Sequence, residues 1–327
     1  MKEELIKFLV IKIQFKMCNL FFILSFSRSG STLLCNLLNN NKDIDLVNES
    51  WLISTTSILG WKKINYNKQK YLIQLFNKTQ KNKTNHKNIS LNICEKKEVY
   101  FNDFYKKIIG KKNMFVGEKN PVNTLHFNFI KNNFINSKFL FLTRNPLSIA
   151  NSYKNRWLKK YTSEYFLFKV SVVIKTYFSS YLNYKNENNL ILIKYEDIIN
   201  KTTETLQKIC NHLNVDYDED MKYNLNTLFL EEKTKKYHEN IDKKLNTKSI
   251  DKYLKELPKE EIESLKYLLR DVIDFFGYPN KIRKPTKKLI RLEKKINRRV
   301  KYNKSKTKRI LLNFKYKIFY LKYLIGG

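Results

Sequence analysis

Apolar runs of strand length occur three times along the chain, each followed by a polar turn and a helical pattern. The runs cover residues 19–26, 138–145 and 189–198. Continuous apolar runs of this length are typical of strands buried on both faces of a parallel sheet. A shorter segment, residues 43–47, is expected to return as a neighbouring strand.

Segments in which apolar residues have helical spacing follow these runs. After the first run, Leu33, Leu34, Leu37 and Leu38 form a stripe that lies on one face of a helix. Further helical patterns cover residues 146–158, 163–184, 202–213 and 258–276. Strands and helices that alternate in this way predict an α/β protein with a P-loop-like three-layer fold, in which helices flank a central parallel sheet.

Charge divides the chain into two parts. Residues 281–327, the C-terminal extension, contain 18 Lys and Arg and one acid, Glu293, and so carry half of the net charge of +34. We therefore predict one folded domain over residues 1–280, with residues 60–112 as an excursion at the edge of the sheet, and a separate basic extension.

The C-terminal extension interleaves its basic residues with Ile, Leu, Phe and Tyr, as surface helices on anionic lipid do. We expect peripheral contact with an anionic membrane through it and no specific nucleic acid partner. Two alternatives remain open: a solvated extension, or aromatic side chains that pack back on the domain. Because Lys is abundant throughout the chain, compositional drift is a further alternative for much of the charge.

The four cysteines are widely separated, without a C-x-x-C pair, and the four histidines are scattered as well. This spacing predicts neither a zinc site nor a disulfide framework, and it suits a reducing compartment. No run of 18 uncharged apolar residues occurs in the sequence. We therefore expect a cytoplasmic protein, peripheral at the membrane if the extension binds lipid.

A glycine surrounded by hydroxyl residues marks the turn between the first strand and its helix. Backbone amides at a helix N-terminus bind anions, and Gly30 permits close approach, Ser31 and Thr32 add hydroxyl donors, and Arg28 adds a positive charge. A Walker loop would have glycine where Ser25 stands and lysine where Ser31 stands. We therefore expect a phosphate-binding loop that works without a metal ion.

A second group of basic residues follows the second strand. Arg144 stands at the strand end, and Ser152 and Arg156 lie one turn apart on the next helix, so the three side chains are expected to converge on a second anion. Lys119 is expected in a turn over residues 117–121, after an apolar pair. We place Trp51, Trp157 and the aromatic residues of 165–181 in the hydrophobic core, with the alternative that one of them lines a ligand cleft.

Five segments, in the same order, resemble the PAPS-dependent sulfotransferase family over about residues 19–279. They are the loop SRSGSTLL, the turn GEKNP, the segment FLFLTRNPLSIANS, the segment ILIKYEDI and the terminal helical region that ends in GYP. The first loop, with Arg in place of Lys, resembles protein-tyrosine sulfotransferases and related bacterial and Golgi carbohydrate sulfotransferases. The resemblance implies transfer of a sulfuryl group from PAPS (3′-phosphoadenosine 5′-phosphosulfate) to an acceptor hydroxyl on a glycan, a lipid-linked sugar or a tyrosine.

The resemblance also implies roles for residues of this chain. Arg28, Ser29, Gly30, Ser31 and Thr32 match the residues that hold the 5′-phosphosulfate. Arg144, Ser152 and Arg156 match those that hold the 3′-phosphate, and Tyr195 matches a nucleotide-contacting tyrosine. The family also has a basic residue that closes over the nucleotide, and Lys243, Lys244 and Lys252 match it only loosely.

Glu49 is our candidate general base for the acceptor hydroxyl. It lies 21 residues after Arg28, the spacing at which the resembled protein-tyrosine enzymes carry a catalytic glutamate. We expect Arg28 and Lys119 to neutralise the negative charge on the transferring group and on the leaving oxygen. His126 is the competing base, and Glu118 is a candidate for orienting Lys119.

Two other functions remain open at this point. A P-loop kinase or nucleotidase would need the missing lysine and an acid that binds Mg²⁺. A nucleic-acid-binding protein would bind any polyanion, with a steep dependence on salt concentration.

Overall fold

Within the described residues, a parallel sheet of five strands forms the centre of the fold. The structure, a computed structural model, describes residues 19–59, 115–134, 136–222 and 247–304. The strands are β1 (Asn19–Ser25), β2 (Ile44–Asn48), β3 (Phe115–Lys119), β4 (Lys138–Thr143) and β5 (Leu190–Lys194). Their order across the sheet is β2-β3-β1-β4-β5, and every pair is parallel. The predicted α/β fold with a central parallel sheet is confirmed.

Helices connect and cover these strands. In the described ranges they are α1 (Ser31–Asn39), α2 (Leu52–Leu59), α3 (Phe127–Asn133), α4 (Pro146–Tyr153), α5 (Ser163–Tyr181), α6 (Tyr195–Asn200), α7 (Thr202–Leu213), α8 (Tyr253–Glu256), α9 (Lys259–Leu268), α10 (Arg270–Phe275) and α11 (Lys287–Lys304). Short 3₁₀ turns cover Pro121–His126, Glu219–Lys222 and Thr247–Ser249, and a π-helical turn covers Lys154–Leu158. The excursion that we predict at residues 60–112 lies outside the described residues.

Both faces of the central strand are buried, which explains its continuous apolar run. Phe21 and Ile23 pack into the core beneath α1 and α7, whereas Phe22 and Leu24 pack into the larger core beneath α5. Successive side chains of a strand point to opposite faces, so a strand covered on both sides has no polar position in its middle.

Several predicted boundaries differ from the observed ones. The third run ends as a strand at Lys194, and Tyr195 begins α6, because Glu196 and Asp197 favour the first turn of a helix. Lys119 is the last residue of β3 and not part of a turn. The predicted helix at 258–276 is two helices with a break at Leu269. The strand at Ile44–Asn48 exists, and it pairs with β3.

The described part of the C-terminal extension includes a helix that packs on the domain. Leu292 and Ile296 of α11 are buried in the larger core, and Asn303 donates a hydrogen bond to Thr176 of α5 at 3.0 Å. Glu293 accepts a hydrogen bond from Arg270 at 2.7 Å. The apolar side of α11 therefore faces the protein and not solvent. The domain boundary at residue 280 stays a prediction.

Replacement of Ile296 by Ala should lower the free energy of unfolding by about 2–5 kcal/mol, because it removes a fully buried side chain and leaves a cavity. Urea denaturation of the full chain measures this. The matched control is Ile290→Ala in the same helix, where the side chain is exposed and the change should stay within about 0.5 kcal/mol. Equal effects of the two substitutions would show that α11 does not dock as described.

Candidate active site

One candidate residue stands at or just beyond the carboxyl end of every strand. Lys119 ends β3, and Glu49, Arg144 and Tyr195 follow β2, β4 and β5 within one residue. Arg28 lies in the loop between β1 and α1. Because all five strands are parallel, these residues meet at one edge of the sheet, which is where α/β proteins bind ligands.

The loop after β1 is a tight turn with two residues of left-handed backbone. The amide and the hydroxyl of Ser29 both donate to the carbonyl oxygen of Phe26, at 3.3 and 2.7 Å. Arg28 has φ 71° and Gly30 has φ 91°. A Cβ at Gly30 would lie 2.3 Å from the ring of Tyr195. Only glycine therefore fits at this position, both for its backbone and for its contact with the ring.

Helix α1 begins immediately after this glycine. Its first amides point out of the helix at the loop, in the arrangement that binds anions in other α/β proteins. Ser31 is buried, and the hydroxyl of Thr32 accepts a hydrogen bond from Lys119 Nζ at 3.3 Å. The predicted hydroxyl donors thus lie at the helix N-terminus, next to the cation of β3.

Lys119 is fully buried and bonded to Glu49. The distance between Lys119 Nζ and Glu49 Oε1 is 2.9 Å, and the Glu49 side chain is 35% exposed. The amide of Glu49 also donates to the carbonyl oxygen of Lys119 at 2.7 Å. A buried ammonium group needs such a partner, since an unpaired charge inside a protein is costly. The Glu49 side chain remains partly exposed to solvent.

The first loop and the helix after β4 touch each other. Arg28 Nε donates to Ser152 Oγ at 3.0 Å, and the guanidinium of Arg28 lies 5.7 Å from the ring centroid of Trp157. The guanidinium of Arg156 lies 5.2 Å from the same ring. The two predicted anion sites are therefore adjacent parts of one surface.

Arg144, the first residue after β4, is stacked on Tyr195. Its guanidinium is 4.2 Å from the ring centroid of Tyr195, and its Nη2 donates to the carbonyl oxygen of Ser249 at 2.6 Å. The hydroxyl groups of Tyr195 and Ser249 are 2.8 Å apart. Within the described part of the chain, the buried Nε of Arg144 has no hydrogen-bond acceptor. The Tyr195 ring thus contacts Gly30 as well as Arg144.

Three arginines raise the electrostatic potential of this surface. Burial lowers the pKa of the Arg28 guanidinium from 12.5 to about 10, and repulsion from Arg156 and Arg144 adds to the decrease. Arg28 remains protonated at neutral pH, so the folded protein holds a cation that its surroundings disfavour. A bound anion would relieve this cost, and the site is therefore suited to a ligand with several negative charges.

Arg156 does not lie on a regular continuation of the helix that carries Ser152. Helix α4 ends at Tyr153, and Arg156 belongs to the π-helical turn. The wider turn changes the angular spacing that we assumed from helical periodicity. Our placement of Trp157 in the core is wrong, because its side chain is 48% exposed beside the two arginines.

The remaining candidates have other partners. His126 Nδ1 is 2.9 Å from the hydroxyl of Ser57, and Lys252 pairs with Glu256 at 3.0 Å. Lys243 and Lys244 lie outside the described residues. Sequence reasoning missed Ser249, which contacts Arg144 and Tyr195 across more than fifty positions of the chain, and no local pattern marks it.

Comparisons with known proteins identify the family. The Sulfotransferase family model matches residues 21–219, more than half of the chain. The sulfotransferase domain from the curacin biosynthetic pathway has a TM-score of 0.53 and 16% identity, covering 81% of this chain and 99% of that domain. The sulfotransferase domain from the Synechococcus PCC 7002 olefin synthase has a TM-score of 0.54 and 16% identity, covering 81% and 97%. No curated protein sequence matches significantly. These two structures share the fold, and by the family match this chain belongs to the sulfotransferase family.

Proposed function

We propose that this sulfotransferase takes the sulfuryl group from PAPS and transfers it in line to an acceptor hydroxyl on a glycan. The observation that carries the proposal is the contact between Arg28 and Ser152, since it makes the loop after β1 and the arginines after β4 one continuous anion-binding surface. A nucleotide with phosphates at its 5′ and 3′ positions needs a surface of this kind. The glycan acceptor rests on the sequence resemblance alone.

The residues present fit PAPS. At the 5′ end, the Gly30 turn, the N-terminus of α1 and Arg28 would hold the phosphosulfate. At the 3′ end, Arg144, Ser152 and Arg156 would hold the phosphate, and the buried Arg144 Nε offers a donor to it. The Tyr195 ring contacts both Gly30 and Arg144, and we assign it a contact with the nucleotide.

The chain's own residues then align the reactants and balance charge. When bound, PAPS supplies an activated sulfuryl group, and transfer breaks its sulfur–oxygen bond to the nucleotide phosphate as one to the acceptor forms. Arg28 and Lys119 neutralise charge on the transferring group and the leaving oxygen, which is the main contribution a protein makes to such a transfer. Glu49 accepts the proton of the acceptor hydroxyl.

Glu49 is favoured over His126 as the base by its position. Its carboxylate contacts Lys119, which lies beside Thr32 of the phosphate-binding loop, and its side chain is partly exposed. The His126 ring is instead held by Ser57 of α2. The contact between Glu49 and Lys119 brings the proposed base and the proposed leaving-group cation to one place.

Titration with adenosine 3′,5′-bisphosphate (PAP) in EDTA should show micromolar binding by calorimetry. Arg144→Ala should weaken it at least about tenfold, because it removes charged donors to the 3′-phosphate. The control is Arg298→Ala, an exposed arginine of α11, which should leave the affinity within about twofold.

The same titration separates the alternatives. Binding that requires Mg²⁺ would support a kinase or nucleotidase. Equal losses in the two arginine variants, with a steep salt slope and no preference for PAP, would support a general polyanion binder.

Replacement of Glu49 by Gln should lower kcat by about 10² or more and leave the affinity for PAP nearly unchanged, because the amide cannot accept the proton while its oxygen still accepts the hydrogen bond from Lys119. Transfer of ³⁵S from PAPS to a panel of saccharides and phenols measures turnover, and His126→Gln serves as the control with near-normal kcat. Full turnover in the Glu49 variant would remove it from this role.

We further propose that the C-terminal extension holds the enzyme at an anionic membrane by charge. Because its apolar side is packed on α5, α11 presents basic side chains to solvent, among them Lys287, Lys288, Arg291, Lys294, Lys295, Arg298 and Arg299. Each basic residue near an anionic surface contributes about 1 kcal/mol. Within the described ranges, no helix has both the length and the apolar character needed to cross a bilayer.

Charge reversal in the full chain tests this proposal without uncovering the core. Lys294→Glu, Lys295→Glu and Arg298→Glu together should abolish sedimentation with phosphatidylserine-containing liposomes at physiological salt. The control reverses three exposed lysines elsewhere, Lys185, Lys201 and Lys208, and should retain most of the binding. Equal pelleting of the wild type and the α11 variant would reject the role of α11.

A further inference from the structure

Two consecutive residues after β2 bond to two consecutive residues of β3, one pair on each face of the sheet. Glu49 bonds to Lys119 on the face covered by α1. The next residue, Ser50, donates its hydroxyl to Glu118 Oε1 at 2.8 Å. Because neighbouring side chains of a strand point in opposite directions, the second bond lies on the other side of the sheet from the first.

Glu118 is a fully buried carboxylate that the proposed reaction does not use. Its Oε1 also accepts a hydrogen bond from Asn123 Nδ2 at 3.1 Å, and Asn123 is itself fully buried in the 3₁₀ turn after β3. A carboxylate in this position is costly unless hydrogen bonds compensate it. The bond to Ser50 thus joins the segment that carries Glu49 to the buried end of β3.

The backbone around Ser50 requires such support. Glu49 has φ 54° and Trp51 has φ 61°, so two residues with side chains adopt the left-handed conformation on either side of Ser50. The Ser50 hydroxyl also accepts a hydrogen bond from the amide of Leu52 at 3.1 Å, at the start of α2. The Ser50 hydroxyl therefore bonds to the backbone just after the turn and to Glu118 of β3.

We propose that Glu118 is a positioning residue: through Ser50 it holds the strained turn at Glu49 and so keeps the proposed base within hydrogen-bond distance of Lys119. This inference rests on the proposed function of Glu49. What Glu118 contributes is a hydrogen-bond acceptor and not a negative charge for the reaction. Small displacements of a base are enough to lower turnover strongly.

Release of PAP from PAPS, with water as the acceptor, and calorimetric binding of PAP test the proposal. Ser50→Ala and Glu118→Ala should each lower kcat about tenfold and leave the dissociation constant of PAP within about twofold, because the nucleotide site does not include them. Glu118→Gln keeps an acceptor oxygen for Ser50 and should stay near wild type. The matched control is Ser54→Ala, which removes another buried hydroxyl of the α2 segment, one that donates to the carbonyl oxygen of Trp51.

A double-mutant cycle separates positioning from a general structural effect. In a Glu49→Gln background, Ser50→Ala should cause no further loss, since there is no base left to position. A loss that persists in this background, a wild-type kcat for Ser50→Ala, or an inactive Glu118→Gln that binds PAP normally would each overturn the inference. Ser50→Ala also keeps the test available if Glu118→Ala does not fold.

The cycle also distinguishes failure of the proposed base, Glu49, from failure of the positioning role of Glu118. Normal turnover in Glu49→Gln alone would reject the proposed base, and the positioning role would fall with it. Impaired turnover in Glu49→Gln together with normal turnover in Ser50→Ala would reject only the role of Glu118.

Discussion

The charge of Lys119 is the constraint around which the site is arranged. Its side chain is completely buried at the end of a central strand, where an ammonium group cannot remain without compensation. Glu49 and Thr32 provide that compensation from two other elements, the segment after β2 and the start of α1. One buried cation thereby couples the loop after β1, the proposed base and the sheet.

The parallel sheet explains how residues far apart in sequence reach the same place. Each strand ends at the same edge, and each contributes one side chain there, from Arg28 after β1 to Tyr195 after β5. Tyr195 contacts both Gly30 and Arg144, so the fifth strand joins the first to the fourth. Residues spread along this edge of the sheet can contact a ligand at several points.

The same arrangement places stability and function in opposition. Burial lowers the pKa of Arg28, and repulsion from Arg156 and Arg144 adds to the decrease. Left-handed backbone occurs at Arg28, Glu49 and Trp51. Such features cost free energy in the folded protein and occur where a ligand or a reaction benefits from them. The bond between the buried residues Glu118 and Ser50, on the opposite face of the sheet, joins the left-handed turn at Glu49 and Trp51 to β3.

Local patterns in the sequence were enough for four of the five strands, the glycine turn and the order of the family segments, because most buried parallel strands are apolar and a tight anion-binding turn needs glycine. They did not predict β3, which is buried but carries Glu118 and Lys119. They did not reveal that β2 pairs with β3, that Arg156 lies in a π-helical turn, that Trp157 is exposed beside two arginines, or that Ser249 contacts Arg144. These features depend on which elements become neighbours. Contacts between residues such as Arg28 and Ser152, 124 positions apart, exist only after the sheet has assembled, and periodicity along the chain carries no information about them.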